Sequence, residues 1–251
     1  MKSQNLKPAN PMIGLILAFG FILFWLAVFF YNLFIHDLGT APLWQSLALI
    51  TLLNWLYVGV FIIAHDTMHG SLWKGHERFN AVIGTSIMFI YAGFNWRYMR
   101  DAHHAHHAYP GTEKDPDFNA ANPHAFLPWY FKFFTTYFGL RQIIILAGFT
   151  LLFIALGAPY INTIIMWAVP AILSSLQLFY FGTYLTHRHG TDFPDAHNAR
   201  TNDFPAWISL LTCFHFGYHH EHHLFPHEPW WRLPLRKNQS NLSKSNIETP
   251  A

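Results

Sequence analysis

The residues in this chain best suited to chemistry are its histidines, 18 of 251, and they are not scattered. His65 and His69 stand four apart in AHDTMHG. His103, His106 and His107 follow at offsets of 0, +3 and +4 in HHAHHAYPGT, and His219, His222 and His223 repeat that spacing in HFGYHHEHHLFPHEPWW. On a helix of 3.6 residues per turn each set falls on one face. Imidazole suits zinc, copper, nickel and iron. A tetrahedral ion takes three or four protein ligands, so eight or nine imidazoles in register imply two ions. A zinc peptidase helix carries HExxH with Glu as general base; here the second position is Asp66, which disfavours peptide hydrolysis. Two iron ions with open positions can bind and reduce oxygen, and that chemistry points to oxidation of a C–H bond. The competing readings are unrelated interfacial histidines and a low-complexity metal-storing tract. Regular spacing in three separate stretches weighs against both.

The elements that must position these residues are membrane elements. Apolar residues make up 52% of the chain and charged residues 11%, well under the roughly 25% of a soluble domain. Runs at 12–35, 43–64, 142–158 and 161–186 are uncharged and long enough to span the hydrocarbon core, so four transmembrane helices are expected. The first run is too long for the apolar region of a signal peptide and lacks a small-residue cleavage site, so it is expected to stay in the mature protein. Segments 79–96, 126–138 and 205–218 are shorter and are expected as interfacial or half-inserted helices. All 15 Lys and Arg fall in the N-terminal tail, between spans two and three, or after span four. The positive-inside rule then places both termini and the middle segment in the cytoplasm. His65 and His69 end span two, His187 ends span four, and the two HxxHH sets lie in cytoplasmic segments, so every cluster converges on one leaflet. The expected fold is an all-α membrane protein, four transmembrane helices plus interfacial helices, with a histidine-rich di-iron centre on the cytoplasmic side. One integral-membrane domain covers residues 1–235, and the polar tail 236–251 is expected to be disordered. Scattered basic residues and a net charge of +2 give no reason to expect nucleic acid as a partner. A single cysteine excludes an intramolecular disulfide. A transporter would carry ionisable residues in mid-span, and these spans have none before their ends.

HDxxH near a helix end, then HxxHH, then a second HxxHH in the C-terminal third resembles the membrane fatty-acid desaturase and hydroxylase superfamily of non-haem di-iron enzymes. AHDTMHG, HHAHHAYPGTEKDPD, SSLQLFYFGTYLTHRHG and LTCFHFGYHHEHHLFPHEPWWRLP are similar to motifs of the bacterial β-carotene 4-ketolases over residues 40–235. That resemblance implies oxygen-dependent oxidation of carbon 4 of a β-ionone ring. Two successive hydroxylations would give a gem-diol that loses water to a ketone, taking β-carotene to echinenone and canthaxanthin, and zeaxanthin to astaxanthin. It also implies a carotenoid substrate, dioxygen as cosubstrate, and electrons from a reduced ferredoxin-type donor with its reductase. A bacterial inner-membrane location would follow. A fatty-acyl desaturase or a carotenoid ring hydroxylase would use the same irons.

Carried over residue by residue, the resemblance implies iron ligands at His65, His69, His103, His106, His107, His219, His222 and His223, with His187 as a ninth. His215, four residues before His219, is expected as a further ligand or as a partner of one. His104, His189, His220 and His227 are expected at the surface or behind the ligands. Asp66, Asp117 and Glu221 are candidates for orienting ligand imidazoles through their second ring nitrogen, against a reading as ordinary interfacial carboxylates. Phe179, Tyr180, Phe181 and Tyr184 either line a polyene tunnel or pack between helices, and Trp230 and Trp231 are interfacial anchors. His104 stands where ketolases often carry an aromatic residue, which opens alternative ligand registers.

Overall fold

The structure is a computed structural model that describes residues 6–190 and 192–248, with side chains to residue 241. Among the described residues there is no strand, only an isolated antiparallel bridge between Thr201 and Tyr218. Helix α1, Pro11–Ile35, starts at an Asn10 cap whose side chain accepts from the Met12 N–H, with Pro11 in the first turn where its missing N–H costs nothing. Its last turn, Tyr31–Ile35, widens to π geometry. Helix α2, Leu43–Met68, is the central post. Leu53, Leu56, Val58, Val60, Ile62 and Ala64 are all fully buried, because α2 packs against α1, α3 and α7 at once.

Helix α3, Glu77–Ala92, ends at Gly93 in the left-handed conformation, and α4, Trp96–Ala108, begins three residues later under an Asn95 cap. A Cβ at Gly84 of α3 would lie 2.1 Å from Trp96 Nε1 and 2.3 Å from Thr67 Oγ1. Glycine there lets the Trp96 indole donate to Thr67 at 2.8 Å, which fastens the start of α4 to the end of α2. Helices α5, Phe126–Tyr137, and α6, Leu140–Ala155, follow; α7, Tyr160–His187, carries π turns at Thr163–Ala168 and Phe179–Tyr184. Short helices α8, Ala206–Cys213, and α9, His219–Leu224, precede the terminal α10, Leu233–Glu248.

Three helices, α1, α2 and α7, are long and apolar enough to cross a bilayer unaided. The third expected span is different. Helix α6 has only 16 residues and reaches the length of a crossing only when counted together with α5, expected as interfacial or half-inserted, across a 73° bend at residues 138–139. The difference has a local cause: Phe138 and Gly139 adopt extended dihedrals that no helix continues through. Helix α2 also runs four residues past its expected end, so His65 sits in its last turn and His69 caps it. The tail expected to be disordered continues as α10 to Glu248, and residues 249–251 lie outside the described residues. Ile16, Leu23 and Leu151 project outward, two-thirds exposed, as lipid-facing residues do.

Candidate metal centre

The C-terminal ends of α2, α4 and α7 and all of α9 meet, and nine histidines form two groups there. His65, His69, His103, His107 and His222 make one; His106, His187, His219 and His223 make the other. Within each group the candidate ligand nitrogens lie within 4.8 Å of one another. Each HxxHH set is divided between the groups. From α4, residues i and i+4 (His103, His107) enter the five-membered group, and i+3 (His106) enters the four-membered one. From α9 the assignment is reversed: His219 and His223 join the group of four, His222 the group of five. At about 100° per residue, i+3 and i+4 lie to opposite sides of i, so one short helix can serve two centres.

In the group of five, His103 Nε2 lies 2.8 Å from Nε2 of both His65 and His69 and 3.1 Å from that of His107. His107 Nε2 is 2.9 Å from that of His222. A neutral imidazole has one N–H and one lone-pair nitrogen, so His103 Nε2 cannot satisfy three like atoms by hydrogen bonding. Imidazoles bound at roughly 2.0–2.1 Å to one ion, as to zinc, hold their nitrogens about 3 Å apart, which is the spacing found. In the group of four, His219 and His223 Nε2 are 3.2 Å apart, and the rings of His106 and His219 each lie 4.7 Å from that of His187. His187 Nδ1 is 2.8 Å from the Asn198 carbonyl oxygen, and its Nε2 is buried with no partner. A buried, orphaned nitrogen turned toward three other imidazoles fits a metal ligand.

Outer partners distinguish the two groups. His106 Nδ1 faces both oxygens of Asp115, at 3.0 and 2.9 Å, and that carboxylate also accepts from the Gly111 and Asp117 N–H groups. Burial opposes charge on His106, yet the Asp115 carboxylate beside it raises its pKa above the ordinary imidazole value. Burial likewise pushes Asp115 up, but the His106 imidazole outweighs it and holds the carboxyl below its usual range. For His103, His219, His222 and His223 burial dominates, reinforced by neighbouring imidazoles, and their pKa values fall well below the ordinary one; His107 is pushed down to about 2. Neutral imidazoles at neutral pH are the form that binds a metal.

The carboxylates expected to orient ligands are placed differently from expectation. Asp117 Oδ2 is 4.0 Å from His106 Nδ1, while its other oxygen accepts from the Tyr137 hydroxyl; Asp115, two residues earlier, takes the imidazole. Both belong to the same PGTEKDPD loop, and the spacing alone could not choose between them. Asp66 is 3.8 Å from His65 Nδ1, beyond hydrogen-bond range, and instead accepts from the Trp230 N–H, tying α2 to the C-terminal segment. Glu221 accepts from the Thr201 hydroxyl. Among the remaining histidines, His104 and His227 lie at 3.1 and 3.0 Å from the Met68 and His69 carbonyls, His220 pairs with Asp195, and His189 stacks on Phe118.

His215 stands outside both groups. The helical face it was expected to share with His219 does not exist, because α8 ends at Cys213 and Phe214 and His215 take left-handed dihedrals before α9 begins. Its ring stacks between Tyr218 and Trp230, with centroids 5.8 and 6.1 Å away.

Both histidine groups open on one small pocket, about 60 Å³, where His65, His103, His106 and His219 share the wall with Asp117 and Thr183. Phe61, Met99, Phe133, Tyr137 and Leu178 form its neck and also line a cavity of about 320 Å³ running between α5, α6 and α7. That cavity is almost wholly apolar, walled by residues such as Tyr91, Phe94, Phe134, Leu146, Trp167 and Ala171. None of Phe179, Tyr180, Phe181 and Tyr184 lines it; they pack on Phe126 or on one another, following the second of their two expected readings. The cavity aromatics carry no common spacing signal, since they come from four helices, α2, α3, α5 and α7, and from the connections at Phe94 and Phe138.

The model of the fatty acid desaturase family matches residues 38–144 and 136–246, and the chain belongs to that family. Within it, the chain is 45% identical over 232 residues to a β-carotene ketolase of Paracoccus sp. (strain N81106 / MBIC 01143), covering 92% of this chain and 94% of that one. It is 34% identical to a β-carotene ketolase of Haematococcus lacustris over 93% of this chain and 82% of the relative. A zeaxanthin 4-ketolase of Chlamydomonas reinhardtii is also 34% identical, over 90% of this chain and 54% of its own length.

Proposed function

We propose that this integral membrane protein is a carotenoid 4-ketolase that converts the ring methylene at carbon 4 of a β-ionone ring to a ketone. The observation that carries the reading is an apolar, aromatic-walled cavity that shares five wall residues with a small pocket on which both histidine groups open. A ligand cavity of this size is at the lower end of the usual range of about 300–1,000 Å³, room for one end of a long hydrocarbon. The neck residues Phe61, Phe133 and Leu178 would hold the ring in van der Waals contact and keep water from the reacting carbon.

His65, His69, His103, His107 and His222 would hold one iron, and His106, His187, His219 and His223 the other. The two irons, with dioxygen and electrons from a ferredoxin-type donor and its reductase, supply the oxidising power for C–H cleavage. Asp115 and the Asn198 carbonyl fix the tautomers and ring orientations of His106 and His187, so that Nε2 of each faces inward. We place the centre on the cytoplasmic side of a bacterial inner membrane, as the distribution of Lys and Arg supports.

Expression in bacteria that accumulate β-carotene, followed by chromatography with mass detection, tests the reading. One carbonyl gained per ring, lost in His222→Ala, is the expected result. Products hydroxylated only at carbon 3 would reassign the chain as a ring hydroxylase; unchanged β-carotene with iron-loaded protein and altered lipid unsaturation would reassign it as an acyl desaturase.

A further inference from the structure

A ketolase must oxidise one carbon twice, so the alcohol formed first has to stay rather than escape into the bilayer. The pocket contains the means to hold it. Apart from the histidines, its polar wall residues are Asp117, Tyr137 and Thr183. Tyr137 closes α5 immediately before the bend, lines both the neck and the large cavity, and donates its hydroxyl to Asp117. Asp117 is itself fixed: its N–H donates to Asp115 at 2.9 Å, and its carbonyl accepts from the Trp129 indole at 2.7 Å. Lys132 braces the same loop through the carbonyls of Pro116 and Phe118. The corner is therefore rigid, and a phenolic oxygen that donates once can still accept.

We propose that Tyr137 and Asp117 are a positioning pair that retains the ring alcohol of the first oxidation, presenting the same carbon for the second. The inference rests on the ketolase reading above. In the first turnover dioxygen and two electrons from the protein reductant, with two protons, place one oxygen in the carbon 4 C–H bond and release the other as water. The unoxidised ring has no polar atom, so the corner does not contribute to its binding. The alcohol has one, and in the small pocket, away from the histidines, the side chains that can pair with its hydroxyl are this corner and Thr183. Held there, the remaining C–H of the same carbon is oxidised by a second dioxygen and two further electrons and protons, and the gem-diol loses water to give the ketone.

Tyr137→Phe removes the hydroxyl and keeps the ring that shapes the neck. In β-carotene-accumulating cells the ratio of 4-hydroxy to 4-keto rings is expected to rise about tenfold, the loss of one hydrogen bond to the bound alcohol. With the purified enzyme, KM for the 4-hydroxy carotenoid should rise by a similar factor relative to KM for β-carotene, with iron content equal to wild type. Asp117→Asn should shift the ratio in the same direction. An unchanged hydroxy-to-keto ratio in Tyr137→Phe, with protein present at wild-type level, overturns the pair. If Tyr137→Phe does not accumulate, the Asp117→Asn ratio decides in the same way. Wild-type protein that makes no carbon 4 product would instead overturn the ketolase reading itself.

Discussion

The two histidine groups are built from the same kind of residue on shared helices, yet they are held differently. The group of four is fully buried, and two of its members are fixed from behind, His106 by a carboxylate and His187 by a main-chain carbonyl. The group of five is partly open, and His65 Nδ1 has no partner within range. On the di-iron reading, five imidazoles would hold an ion by number, whereas four would hold it with two of their rings, His106 and His187, fixed from behind. The expected consequence is a pair of inequivalent irons, one tolerant of losing a ligand and one intolerant.

The sharpest break of that comparison is to delete one ligand from each. His187→Ala leaves three imidazoles in the smaller group, and iron is expected to fall from two to one per chain, with ketone formation down more than about 100-fold. His69→Ala leaves four in the larger group and should retain both irons with a smaller loss of activity. Metal analysis of the purified proteins decides, and equal iron loss in both would mean that the groups do not differ in this way. Next in size is the orienting carboxylate. Asp115→Asn should weaken one of the two irons by about 10–100-fold, seen as one of two Mössbauer signals diminishing during chelation. Asp66→Asn, whose carboxylate contacts the Trp230 N–H rather than an imidazole, should leave both signals and lower thermal stability alone.

What the sequence could show follows from the same chemistry. Helical spacing marks His65, His69 and both HxxHH sets because a ligand must repeat on one face, and hydropathy marks α1, α2 and α7 because a bilayer demands length. The division of each HxxHH set between two centres is invisible in the spacing, because i+3 and i+4 belong to one face until a second helix chooses between them. Asp115 and Asp117 are two apart in a loop with no periodicity, and only the turn at Gly111 decides which one meets His106. The left-handed pair Phe214 and His215 broke the assumed helix because nothing in HFGY announces it: neither residue is a glycine.

Acidification should separate the folded chain from its metals by a smaller margin, with a definite sign. In the metal-free chain His103, His107, His219, His222 and His223 are buried neutral imidazoles with lowered pKa values. Below about pH 6.5 the unfolded chain takes up protons that these folded residues refuse, so metal-free stability is present above that pH and is lost as pH falls. His106 runs the other way: its raised value contributes stability below pH 6.5 that is lost as pH rises through its folded pKa. With five groups against one, the unfolding temperature of chelated protein in detergent should drop between pH 7 and 5. A flat profile would mean that the rings become solvated once the metals leave.

The smallest effect is expected at His215, the one expected ligand that both groups omit. His215→Gln keeps a polar side chain but loses the ring stacked between Tyr218 and Trp230, and the Trp230 N–H is what reaches Asp66 at the end of α2. Both irons should remain, because no candidate ligand moves, and the cost should be about 1 kcal/mol of stability from the lost stacking. Glutamine cannot easily hold the left-handed backbone at φ 64°, so His215→Asn, which tolerates that region better, should recover part of the loss. If His215→Gln instead releases one iron while His215→Asn does not, the residue contributes to the centre through its backbone turn, and the division into five and four would have to include the loop that sets α9 in place.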